Sequence, residues 1–188
     1  MNTDFWEQFY QNNKVTLEPT TFARHVVQQI SKIGRIIDLG CGNGRDSLFF
    51  AREGFKVLAL DQVEVSGLVG HDNIKFQKIN FKDIGQIHLL HGDLLYARFL
   101  FHAIPSDLLS GLLNWGRGRL FAEFRAFGDV PQIYPNHERV FWKAGDFVDL
   151  LSANNFRIIS FDEARGRAAY LGEDPLVFRL EAIKEDKN

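Results

Sequence analysis

The stretch that most constrains the fold is "GRIIDLGCGNGRDSLFFAREG", residues 34 to 54. An apolar run halts at glycine, and Gly40, Gly42 and Gly44 follow at alternate positions. Leu48, Phe49 and Ala51 then repeat at helical spacing ahead of Gly54, a residue suited to a helix C-cap. Strand, glycine loop and helix in that order open an α/β fold with a largely parallel sheet.

The rest of the chain continues the alternation. "KVLALD" (56 to 61) reads as a second strand, "NIKFQKIN" (73 to 80) as a third, and "GDLLYARFLFHAI" (92 to 104) as a fourth strand running into a loop. Only a weak helix is expected between strands two and three, where Gly67 and Gly70 interrupt. "PSDLLSGLLNWG" (105 to 116) is a helix with proline near its start, "RLFAEFR" (119 to 125) is strand five, and a helix is expected at about 143 to 154. "FRIISFDEA" and "PLVFRLEAIK" have no helix between them and form a terminal hairpin. The expectation is a mostly parallel seven-stranded sheet with a C-terminal antiparallel hairpin and helices on both faces. Residues 4 to 13 and 18 to 31 add two lead-in helices. With no internal repeat or linker, residues 1–188 read as one domain, of which 1–31 are a helical lead-in.

Composition narrows the partners. Hydrophobic residues make up 45% of the 188, with 18 Phe and 3 Trp, so the chain has the material for a packed core. A formal net charge of −2 gives no long-range attraction for a polyanion, which argues against nucleic acid. The single cysteine, Cys41, permits no intramolecular disulfide, and the reading is a reducing, cytoplasmic setting. The first residues, "MNTDFWEQFY", carry acids and no apolar signal core. Even "LLYARFLFHAI" is broken by Arg98 and His102, so no membrane span is expected. No metal site is expected either.

Glycines after the first strand allow a ligand to touch the backbone, because no Cβ stands in the way. In dinucleotide folds the spacing is G-x-G-x-x-G and the loop meets a pyrophosphate. Here the third glycine falls one residue early, at Gly44, and Arg45 holds its usual place. Asp38 precedes the loop, where a carboxylate would oppose a pyrophosphate and favour a cationic or amino-bearing ligand. Asp61 ends strand two, near the roughly 20-residue spacing at which an acid meets ribose hydroxyls in Rossmann-like folds. The ligand implied has a ribose, an adenine-like ring and a positive end.

"IIDLGCGNGRDS" followed by "VLALDQ" resembles motifs one and two of the class I S-adenosylmethionine-dependent methyltransferases, over about residues 20 to 184. The resemblance implies a Rossmann-like fold and S-adenosylmethionine as cofactor, with S-adenosylhomocysteine as product. It puts Asp38, Gly40 and Gly42 around the methionine moiety, with Cys41, Asn43, Gly44 and Asp46 in the same loop. Asp61 would hold the ribose hydroxyls and Gln62 would lie beside the adenine. "INFKDI" corresponds to the segment after strand three, so Asn80 and Phe81 would meet the adenine, and Tyr96 would join the cofactor site from strand four. Asn80 departs from the Asp common in the family.

Methyl transfer depends chiefly on alignment and desolvation, and a base is needed only for acceptors that must lose a proton. The acceptor pocket is expected beyond strands four and five. His102 and Glu123 are the candidate bases, and Arg98 and Arg125 the candidate acceptor clamps. An ion pair between Arg98 and Glu123 is the alternative for those two residues. Asp129, His137 and Arg139 follow in a loop suited to a lid, while Glu173, Asp174 and Arg179 read as polar contacts of the hairpin. The set favours an anionic or hydroxyl-rich small-molecule acceptor. Residues 96 to 104, 123 to 125 and 173 to 179 also resemble a bacterial branch of small stand-alone methyltransferases. No "NPPY" or "DPPY" follows strand four, which argues against methylation of a flipped base.

Two rival readings remain at this level: a non-catalytic subunit that binds S-adenosylmethionine, and a nicotinamide-dependent oxidoreductase. The aromatics of the first helix fit either a homodimer contact or a cover for the substrate.

Overall fold

The computed structural model describes residues 3–12, 17–31, 34–68, 70–129, 139–169 and 172–185. Its strands are β1 (Arg35–Leu39), β2 (Lys56–Asp61), β3 (Ile74–Lys78), β4 (Leu94–Arg98), β5 (Arg119–Arg125), β6 (Phe156–Ala164) and β7 (Val177–Lys184). They form one sheet of order β3-β2-β1-β4-β5-β7-β6, in which β7 runs antiparallel to both neighbours and the other pairings are parallel. The reversal between β1 and β4 creates the crevice beyond the strand C-termini where open α/β sheets bind ligands.

Helices α2 (Thr21–Gln29) and α3 (Arg45–Arg52) cover one face, and α4 (Ser106–Trp115) and α5 (Ala144–Ala153) the other. The side-chain alternation of β1 feeds both layers. Ile36 joins Phe22, Phe50 and Tyr96, while Ile37 and Leu39 join Leu109, Leu112 and Phe147. A sheet buried on both faces explains why its inner strands read as continuous apolar runs. Helix α1 (Thr3–Asn12) lies over the strand ends, its rings lining the cavity described below.

Several boundaries differ from expectation for local reasons. Helix α2 starts only at Thr21, because Pro19 precedes it and the Thr20 hydroxyl caps it by accepting from Ala23 N at 3.0 Å. The fourth strand stops at Arg98, since Phe99 enters the left-handed region at φ 57° and turns the chain outward. Between β2 and β3 the expected weak helix is a single 3₁₀ turn, Ser66–Leu68. Residues Phe81–Gln86 form a second 3₁₀ segment that the hydrophobic pattern did not announce. Among the described residues no helix is long and apolar enough to cross a membrane.

Candidate active site

The glycine loop leaves β1 with Gly40 N and Cys41 N both donating to Leu60 O, at 2.8 and 3.1 Å. This ties the loop to the end of β2. Gly42 has φ 59°, and a Cβ there would lie 2.7 Å from the Tyr10 hydroxyl. Asp61 completes the tie: its carboxylate accepts from Gly42 N at 2.8 Å and from Val63 N at 3.0 Å.

These groups line a cavity of about 200 Å³ above the strand ends. Asp38, Asp61 and Gln62 form its floor, with Phe81 from the second 3₁₀ segment and the rings of Phe5, Trp6, Phe9 and Tyr10 from α1. Asp38 is buried and accepts from the Ser47 hydroxyl at 2.6 Å. Burial pushes its carboxyl up to about 8, reinforced by Asp46 and Asp61 and opposed by the Ser47 bond and by Arg98. Asp61 is raised too, again by burial, with the Gly42 and Val63 amides opposing. Burial also raises the Cys41 thiol and the Tyr10 phenol, so both stay protonated. The Gln62 amide nitrogen is buried without a hydrogen-bond partner, a donor left available in the cavity wall.

Asp46 is engaged elsewhere. Its carboxylate accepts from Thr20 N at 2.8 Å, the Thr20 hydroxyl at 2.9 Å and the Tyr96 hydroxyl at 2.6 Å. It therefore fastens the start of α2 to α3 and β4.

The other end of the cavity is rich in arginine. Arg98 pairs with Glu123 at 2.8 Å, and Arg179 takes the second Glu123 oxygen at 2.7 Å. Arg125 is bonded to Asp129 at 2.8 Å and to Glu173. His102 is buried, and its Nδ1 accepts from Arg125 N at 3.2 Å. A nitrogen that accepts a backbone N–H carries no proton, so the neutral ring bears its proton on Nε2.

A family profile described as tellurite resistance protein TehB matches residues 3–91. The family described by that profile is one of S-adenosylmethionine-dependent methyltransferases. The matched stretch is just under half of the chain, and over it the sequence is similar to the class I S-adenosylmethionine-dependent methyltransferases. No curated protein matches the sequence. The fold agrees with a methyltransferase from Anabaena variabilis at TM-score 0.71 and 21% identity, over 97% of this chain and 95% of the other. It also agrees with Burkholderia thailandensis 1,6-didemethyltoxoflavin-N1-methyltransferase, which holds 1,6-didemethyltoxoflavin and S-adenosylhomocysteine, at TM-score 0.68 and 19% identity over 88% and 77%. A third match, to a protein of echinomycin biosynthesis associated with conversion of a disulfide bond into a thioacetal group, has TM-score 0.73 and 16% identity over 97% and 93%.

Within this methyltransferase fold, most of the residues singled out in the sequence meet at one cavity. Asp38, Gly40, Cys41, Gly42, Asn43, Asp46, Asp61, Gln62, Phe81, Tyr96, Arg98, His102 and Arg125 all line it. Three do not. Gly44 lies against Leu68, where a Cβ would come within 2.5 Å. Asn80 is exposed and caps the second 3₁₀ segment by accepting from Lys82 N at 3.1 Å, a local bond that turns it from the adenine position. Glu123 is buried behind Arg98, with both oxygens taken by guanidinium groups. As candidate bases, Glu123 and His102 are thus both engaged in other bonds. Arg139 lines the cavity, and His137 lies outside the described residues. Glu173, expected as a hairpin contact, also reaches the wall, because the β6–β7 turn folds back over Arg125. Nothing local in the sequence signals that contact.

Proposed function

We propose that the chain binds S-adenosylmethionine and moves its methyl group to an O or N atom of a small molecule. One observation carries the reading: two buried carboxylates, Asp38 and Asp61, flank a backbone loop shaped by Gly42 in a single cavity. Such a pair lacks a cation and a set of hydroxyl donors, and the cofactor has both. Asp38 would take the methionine ammonium, Asp61 the ribose hydroxyls, and the unpartnered Gln62 nitrogen an acceptor on the adenine side. When bound, the cofactor supplies an electrophilic methyl group on a sulfonium. The cavity of about 200 Å³ is below the ~300 Å³ at which ligand pockets usually begin. Binding would therefore call for an outward shift of α1, whose Tyr10 hydroxyl stands over Gly42.

The residues at the acceptor end act by alignment. With His102 Nδ1 and both Glu123 oxygens engaged, neither is placed to remove a proton, which favours an accepting atom that arrives with a lone pair and no proton to lose. The net charge of −2 and the lone buried Cys41 favour a small-molecule partner and a reducing, cytoplasmic setting.

Calorimetric titration with S-adenosylhomocysteine, with a nicotinamide dinucleotide as control, tests the reading. Micromolar binding of the former alone is expected; binding of the dinucleotide alone would return the glycine loop to oxidoreductase chemistry. Asp38 adds a pH signature. Its free carboxyl titrates near 8, and a bound ammonium favours the carboxylate, so the complex has the lower pKa. Binding then releases a proton below about pH 8. Affinity should rise with pH by up to about tenfold per unit until near 8 and then level off. Asp38→Asn should flatten this slope in titrations from about pH 6 to about pH 9. A slope retained in that variant would assign the proton to another group.

A further inference from the structure

Arg98, Glu123 and Arg179 stand opposite one another on β4, β5 and β7, in register across three adjacent strands. Glu123 bonds one guanidinium with each oxygen, through Nε of Arg98 and Nε of Arg179. Two cations share one carboxylate, so the three residues carry a net charge of one positive unit. Arg179 spends Nη2 on the Thr21 hydroxyl at 2.7 Å and on Arg167 O at 3.3 Å, so it is anchored to α2 and the hairpin turn.

Arg98 differs. It lines the cavity with its side chain 15% exposed, and among the described residues its one hydrogen bond is from Nε. The Nη1–Nη2 edge, two parallel donors, is unused. Holding such donors in a half-buried wall is costly unless a guest accepts from them, and the planar fork matches a carboxylate. Arg125 has no such edge, since its terminal nitrogens serve Asp129 and Glu173.

Phe99 packs its ring face against that guanidinium. Its ring centroid lies 4.2 Å from the Arg98 guanidinium carbon and 5.9 Å from that of Arg125. Its backbone is held at φ 57°, unfavourable for a bulky residue, by a 2.7 Å bond from Phe99 N to Glu123 O. Strain of this kind persists where the surroundings impose it, often at ligand sites. The rings of α1 also line the cavity.

We propose that Arg98 anchors a carboxylate on a planar aromatic acceptor, with Glu123 and Arg179 as positioning residues that fix its guanidinium and leave one positive charge for one negative charge. This rests on the cofactor reading above. Acids at the cofactor end and the free fork at the other orient the acceptor: its anion lies away from Asp38 and Asp61, and a different atom receives the methyl group.

The test is calorimetric titration of the S-adenosylhomocysteine-saturated protein with salicylate and with salicylamide, which keeps the ring and hydroxyl but replaces the anion with an amide. Salicylate should bind at least about tenfold tighter, by a margin that Arg98→Met erases while the thermal midpoint and S-adenosylhomocysteine affinity hold. Arg98→Lys keeps the charge without the fork and should give an intermediate margin, which decides the matter if the methionine variant does not fold. Equal binding of the two probes, or a margin surviving in Arg98→Met, overturns this proposal alone. So does a selective loss of S-adenosylhomocysteine affinity in Arg98→Met, which would assign the guanidinium to the cofactor's own carboxylate. If the unaltered protein does not bind S-adenosylhomocysteine, the cofactor reading falls and this proposal with it.

Discussion

Asp61→Ala should lower affinity for S-adenosylhomocysteine by roughly 10² to 10⁴. Two ribose hydroxyls donating to one carboxylate contribute about 1.5 to 3 kcal/mol each as charge-assisted bonds. Their combined loss, about 3 to 6 kcal/mol, converts at about 1.4 kcal/mol per tenfold. The side chain also shapes the free protein, since Gly42 N and Val63 N donate to it. Removing it frees the loop that, on this reading, meets the cofactor through its backbone. Asp61→Asn, which keeps one carbonyl oxygen, should fall between the two. Calorimetry on all three proteins, with thermal midpoints recorded alongside, separates a binding loss from a folding loss. Unaltered affinity in the alanine variant would remove Asp61 from the site.

The largest effect on folding is expected far from the cavity, at Gly34. Its φ is +88°, and a Cβ there would lie 2.0 Å from the backbone oxygen of Gly92. Backbone cannot rotate away as a side chain can. Gly34→Ala should therefore cost at least about 3 kcal/mol, combining left-handed strain of about 1 to 3 kcal/mol with displacement of the turn before β4. For a chain of this size that is a fall in thermal midpoint of about 6 to 12 °C. Gly67→Ala is the control: no atom lies within 4 Å of its Cβ position. It should shift stability by no more than about 0.5 kcal/mol either way. Equal midpoints for the two variants would mean that the Gly34 turn yields at little cost.

Much of the architecture is legible in the sequence because glycine punctuates it. Runs such as 56 to 61 and 119 to 125 stand between turn residues, and the absence of a helix between the last two runs announces the antiparallel pair β6 and β7. What stays hidden depends on distant partners. Asp46 looks like one more polar residue of the glycine loop, yet its bonds reach Thr20 and Tyr96. Asn80 sits where an adenine contact is expected, but its neighbour Lys82 N claims it. The Arg98–Glu123 pair was readable from adjacent strands. Arg179 as the second partner was not, because the antiparallel register of β5 and β7 sets it. Glu173 and the rings of α1 enter the wall through long-range folding that periodicity does not encode.

Helix α1 carries a kinetic consequence. With the Tyr10 hydroxyl standing where a Gly42 side chain would lie, a guest that meets the loop at that point displaces Tyr10. The binding constant measured in solution is then the intrinsic one divided by the fraction of molecules whose door stands ajar. On the cofactor reading proposed above, each cycle would open that door twice, once for the incoming reagent and once for the spent one. A cover of this kind trades tightness of capture for exclusion of water.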